Sequence, residues 1–148
     1  MGLFTSFFSF REPEKPAGKQ ETFILVGSIK YERRITGDGQ HQAALEAICG
    51  PRVQRGVHRF ETAWLVAEEK NPRDKNARDN NGVRVEIKGR TVGYLSPQHA
   101  ALFRQQLSAR GMPNAIGQCQ ALITGGWTSS DGRKGNYEVS LDLPAAYR

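Results

Sequence analysis

The chain has 148 residues, of which 38% are hydrophobic and 24% charged. That suits one folded domain and excludes both a large multi-domain enzyme and a disordered chain. No apolar run approaches the roughly 18 residues of a membrane-spanning helix, and no collagen-like or coiled-coil repeat recurs. Lys and Arg number 21 against 15 Asp and Glu, and the resulting net charge of +6 suits contact with phosphate.

Residues 1–10 carry an aromatic cluster, Phe4, Phe7, Phe8 and Phe10, without the basic stretch or cleavage site of a secretory signal. Met1-Gly2 with Ser6 fits the loose myristoylation pattern. A short apolar arm that docks on its own domain or on a partner explains the phenylalanines better. Pro13, Pro16 and Gly18 among charges read as a linker. Residues 1–20 are therefore expected to be arm and linker, and residues 21–148 the folded domain. Cys49 and Cys119, far apart and in apolar contexts, read as buried free thiols. With no secretory signal, the expected location is a reducing cytoplasm.

Residues 22–29 and 31–36 are strand candidates, rich in β-branched and aromatic side chains. Gly37-Asp38-Gly39 turns the chain into a helix over 40–49, which Gly50-Pro51 stops. Residues 59–67 form a half-buried strand with Phe60, Thr62, Trp64 and Val66 against Glu61, Ala63 and Leu65. Residues 68–82 are polar and rich in Asn and Asp, a long loop. Val83, Val85 and Ile87 then alternate with Arg84, Glu86 and Lys88, and a turn at Gly89-Arg90 leads into residues 91–95 as a hairpin. Ser96-Pro97 opens a second helix carrying Leu102, Phe103 and Leu107, which Gly111 ends. Strands over 119–124 and 137–143 flank a glycine-rich loop bearing Trp127, Arg133 and Lys134. The order β-β-α-β-β-β-α-β-β predicts a mainly β, α+β fold: an antiparallel OB-like or SH3-like barrel with two helices.

Most catalytic signatures are missing. Gly125-Gly126 and Gly132 lack P-loop spacing, and no strand–GxGxxG–helix occurs. His41, His58 and His99 with Cys49 and Cys119 show none of the close pairs of structural zinc sites. There is no serine nucleophile elbow and no thiol-protease cysteine. No cofactor, metal or catalytic residue is expected. The remaining enzymatic idea is a metal-dependent nuclease using Asp74, Asp79 and Glu86.

Two motifs are informative. Asn71-Pro72-Arg73-Asp74-Lys75-Asn76-Ala77 lies between two strands, and Val92-Gly93-Tyr94-Leu95 closes the next hairpin before a helix. Asn71 before Pro72 is pushed out of the α region, so the loop leaves its strand extended. Asp74 and Asn76 can each accept from nearby backbone N–H groups and pin the loop, and Gly93 permits a close approach. On these motifs the chain resembles the HIRAN domain family over about residues 35–143. Thr36-Gly37-Asp38, Gln42-Ala43-Ala44-Leu45 and the run from Cys119 to Trp127 look like its small stand-alone bacterial members.

The resemblance implies a modified OB-like barrel that binds single-stranded DNA, especially 3′ ends at damaged DNA or stalled forks, as in DNA repair. It implies that Asp74 accepts from a terminal 3′ hydroxyl and that Asn71 faces a base. Tyr94 would contact phosphate, and Tyr137 would stack on a base. Arg73 stands where the family motif has an aromatic, though a guanidinium also stacks and pairs with phosphate. Gly39-Gln40 stands where DNA-binding relatives carry Arg-Tyr. Lys75 and Arg78, with Arg52, Arg55, Arg59, Arg73, Arg84 and Lys88, supply positive charge around the motif. The other reading of Asp74 is a cap for its own loop. The competing function is a protein-interaction adaptor that recruits a helicase or nuclease partner through the N-terminal arm.

Overall fold

The computed structural model describes residues 15–16, 21–68 and 82–148. Among them, strands β1 (Thr22–Ile24) and β2 (Arg33–Arg34) precede helix α1 (Gln42–Cys49). Strands β3 (Val57–Ala67), β4 (Val83–Ile87) and β5 (Arg90–Tyr94) follow, then helix α2 (Pro97–Ala109) and strands β6 (Ile116–Gly125) and β7 (Tyr137–Asp142). Single 3-10 turns lie at Asp38–Gln40 and Ala145–Tyr147. The order of elements is the one expected. Of the arm and linker expected over residues 1–20, all but Lys15 and Pro16 lie outside the described residues.

The strands lie side by side in the order β2-β7-β6-β3-β4-β5, every neighbour antiparallel. β1 pairs in parallel with Ile116–Gln118, on the edge of β6 that β7 occupies from Gln120 onward. The two ends of the sheet meet. Thr36 N–H donates to the Tyr94 carbonyl and Tyr94 N–H to the Thr36 carbonyl, each at 2.8 Å. The sheet is thus curled into a barrel-like shape, which satisfies edge groups that would otherwise face water or another chain.

The inward faces carry Leu65, Val85, Ile87, Val92, Ile123, Val139 and Leu141, all fully buried. Helix α2 adds Ala100, Phe103 and Leu107, whose spacing sets them on one face. Its N-terminus is built as the sequence predicts: Ser96 Oγ accepts from His99 N–H at 3.3 Å, and Pro97 takes the first helical position. Helix α1 packs against both β5 and β7, beside the bridge that closes the sheet. Both cysteines are free, with Cys119 buried and Cys49 half-buried.

One expectation needs correction. The strands foreseen over 22–29 and 31–36 are only three and two residues long. Between them Ile29 (φ 66°) and Tyr31 (φ 50°) are left-handed, which no strand tolerates. The sequence names two alternating sets in β3 without an inner face, and the set facing the core is Ala63 and Leu65. Trp64 and Val66 are buried on the opposite face with Ile116, whereas Phe60 is 53% exposed. Four consecutive buried residues, Ala63 to Val66, leave no alternation from which the inner face could be read.

Candidate functional site

The described residues on either side of the 69–81 segment are held together. Glu68, just after β3, donates its N–H to the Gly82 carbonyl at 2.9 Å, just before β4. Arg104 of α2 reaches both carbonyls from its Nη2, at 2.6 Å to Glu68 and 3.1 Å to Gly82. One guanidinium thus ties the two ends of the segment to the helix, with charge-assisted hydrogen bonds. Asn71, Arg73, Asp74, Lys75 and Arg78 lie outside the described residues, as do Asn76, Ala77 and Asp79.

Tyr94 stands at the same rim. It is half-buried at the end of β5, directly across from Arg84 of β4. Its ring lies 6.2 Å from that of His41, and the exposed 3-10 turn containing Gly39 and Gln40 runs alongside. His41 is oriented by an Nδ1–H bond to the Gly37 carbonyl at 2.7 Å. Burial raises the Tyr94 phenol above its ordinary pKa, and a hydrogen bond to the Glu68 carboxylate and that group's charge add to the effect. Arg84 acts in the opposite direction. The structure therefore brings Tyr94 to the base of the segment that carries the other candidate residues.

Tyr137 does not join them. It is completely buried, with its hydroxyl donating to the Gly50 carbonyl at 2.9 Å. The Arg52 guanidinium covers the ring at 5.0 Å. Gln42 of α1 clamps its backbone, accepting from Tyr137 N–H at 2.8 Å and donating to its carbonyl at 2.9 Å. The reading of Tyr137 as a stacking residue gives way to a core role, because no face of the ring is open to a base.

The basic set is also less available than its number suggests. Arg52 pairs with Glu46, Arg59 and Lys88 with Glu61, and Arg84 with Glu86. Arg55 is exposed. Glu86, one of the acids considered for a nuclease, is buried against Arg84. Among the described residues no three His, Cys, Asp or Glu side chains gather as a metal site would require.

Sequence reasoning missed one cluster. Tyr31 and Phe60 sit with ring centroids 5.3 Å apart, and His58 meets Phe60 edge-on at 5.3 Å. Phe60 gives no signal apart from its place in a half-buried strand, and Tyr31 none beyond its type. Comparison of the chain with protein-family models, with curated proteins and with solved structures finds no match.

Proposed function

We propose that the chain is a non-enzymatic nucleic-acid-binding module of the HIRAN kind, an OB-like barrel that engages single-stranded DNA at the rim where Tyr94 stands and where residues 68 and 82 flank the 69–81 segment. The observation that supports this reading best is the shared base of the two motifs. Arg104 holds the two ends of the 69–81 segment, and Tyr94 lies at the same rim, across from Arg84 of β4. The segment carrying Arg73, Lys75 and Arg78 thus begins and ends on a rigid rim, as phosphate-contacting segments on barrels require. In this reading Lys75 and Arg78 meet the phosphates, while Asn71 and Asp74 address the base and sugar at a strand end.

Counterion release provides the test. Each phosphate neutralised on a single strand contributes a slope of about −0.7 to the plot of log affinity against log salt. Binding of a labelled single strand should weaken steeply as salt rises. Lys75→Ala or Arg78→Ala should weaken binding to all sequences alike and flatten the slope by about 0.7. An affinity indifferent to salt would move the reading to a protein-interaction adaptor.

A further inference from the structure

We infer that the outer surface around Tyr31, Phe60 and Arg33 is a second nucleotide subsite, in which a backbone phosphate enters the cavity at Arg33 and the adjoining base stacks on Phe60. The inference rests on the reading of the chain as a single-strand binder and extends it to a surface away from the Tyr94 rim. Three observations meet at this place.

The first is a cavity of about 80 Å³ lined by Ser28, Lys30, Tyr31, Arg33 and Arg148 together with Glu32 and Asp142. Arg33 Nε is, among the described residues, the one buried side-chain polar atom that has no hydrogen-bond acceptor. Burying a guanidinium N–H without an acceptor is costly, and a phosphate oxygen would remove that cost. The two carboxylates at the cavity are already engaged. Glu32 pairs with Arg33 Nη1 at 3.6 Å, and Asp142 Oδ1 accepts from Ile29 N–H at 2.9 Å. The lining carries three cationic side chains, those of Lys30, Arg33 and Arg148.

The second is the backbone that shapes the cavity. Ile29 and Tyr31 are both left-handed, and for β-branched Ile29 that is a genuine outlier. Such strain persists only where the surroundings impose it, and it gathers at ligand sites. The bond from Asp142 to Ile29 N–H holds the distorted segment, so Lys30 and Tyr31 are set in place before any ligand arrives.

The third is the aromatic surface. Phe60 is 53% exposed, and it touches Tyr31, which itself lines the cavity. Phosphate site and ring face are therefore continuous, the arrangement that single-strand binders use when they track the backbone and stack the bases. Ile24, Val26 and Ile29 are exposed nearby in sequence, and a protein partner would also value such apolar surface. The unpaired Arg33 Nε and the neighbouring Lys30 and Arg148 favour a phosphate-bearing ligand instead.

The test uses the full chain and two fluorescent probes, an oligothymidylate and an abasic strand of equal length. Phe60→Ala should weaken oligothymidylate binding about five-fold or more and leave abasic binding unchanged. Arg33→Gln should weaken both. Phe60→Leu keeps the apolar contact with Tyr31 but loses the ring face, so it should reproduce the loss at unchanged melting temperature. Wild-type binding of oligothymidylate that Phe60→Ala and Phe60→Leu both leave intact would overturn this subsite alone. So would equal losses on both probes, or the loss of a dimer with binding unchanged, which would mark a protein interface. No binding of either probe by the wild type would overturn the single-strand reading as well.

Discussion

Gly93→Ala should lower the stability of the domain by about 3 kcal/mol and its Tm by roughly 10 °C. The residue has φ 155°, which side chains rarely adopt, and it sits beside the bridge that joins the two ends of the sheet. A Cβ there would lie 2.5 Å from the Thr36 carbonyl oxygen, 2.7 Å from Ile35 Cδ1 and 3.3 Å from the Asp38 N. Two of those three atoms belong to the backbone and cannot rotate away. The bridge would have to open, losing both Thr36–Tyr94 hydrogen bonds, at about 1 kcal/mol each, in addition to the local strain. Gly111 is the control. It is left-handed too (φ 68°), but a Cβ there meets nothing within 4 Å. Gly111→Ala should therefore cost only about 1 kcal/mol. Thermal and urea denaturation of the two variants would measure the difference, and equal losses would mean that the closure at Gly93 is not tight.

Tyr137→Ala should cost about 3–5 kcal/mol, the usual range for emptying a buried aromatic site. The ring is completely buried, lies under Arg52 and is joined to Gly50 through its hydroxyl. Tyr137→Phe keeps the volume and loses one hydrogen bond, so it should cost about 1 kcal/mol. It leaves the Gly50 carbonyl without that donor. The second variant separates the two roles assigned to this residue. If Tyr137 only fills the core, Tyr137→Phe binds single strands as the wild type does. A stacking role predicts a large loss of affinity in Tyr137→Ala that exceeds what its remaining folded fraction explains.

Local signals in the sequence were read well where one residue type dictates one geometry. Ser96-Pro97 fixes the start of α2, and the apolar spacing through Phe103 and Leu107 gives its buried face. Gly93 could be understood from the sequence as a point of close approach, and the contacts around its missing Cβ give the physical reason. The order of strands and helices followed from the same kind of signal. What failed depended on partners distant in sequence. Nothing local says that Ile29 and Tyr31 are left-handed, because Asp142 holds that segment from 113 residues away. The resemblance implies a base-stacking Tyr137, but Gln42 and Arg52 fold over it from the α1 region. The inner face of β3 could not be read because neighbours bury both sides of its second half. Of the candidate site, Tyr94 stands at the rim where the 69–81 segment leaves and returns, and Asn71, Arg73, Asp74, Lys75 and Arg78 lie outside the described residues.

The most direct measurement of the central claim compares two labelled single strands, identical except that one ends in a 3′ hydroxyl and the other in a 3′ phosphate. A carboxylate such as Asp74 repels phosphate and accepts only from a donor, so it suits a free hydroxyl. A hydrogen bond to a charged acceptor is worth about 1.5–3 kcal/mol, or roughly ten-fold and upward in affinity. The wild-type chain should bind both strands at low salt and prefer the hydroxyl end by about that factor. Asp74→Ala should bind the two ends equally. If the wild type binds neither strand at low salt, the chain is not a single-strand binder and the account is wrong.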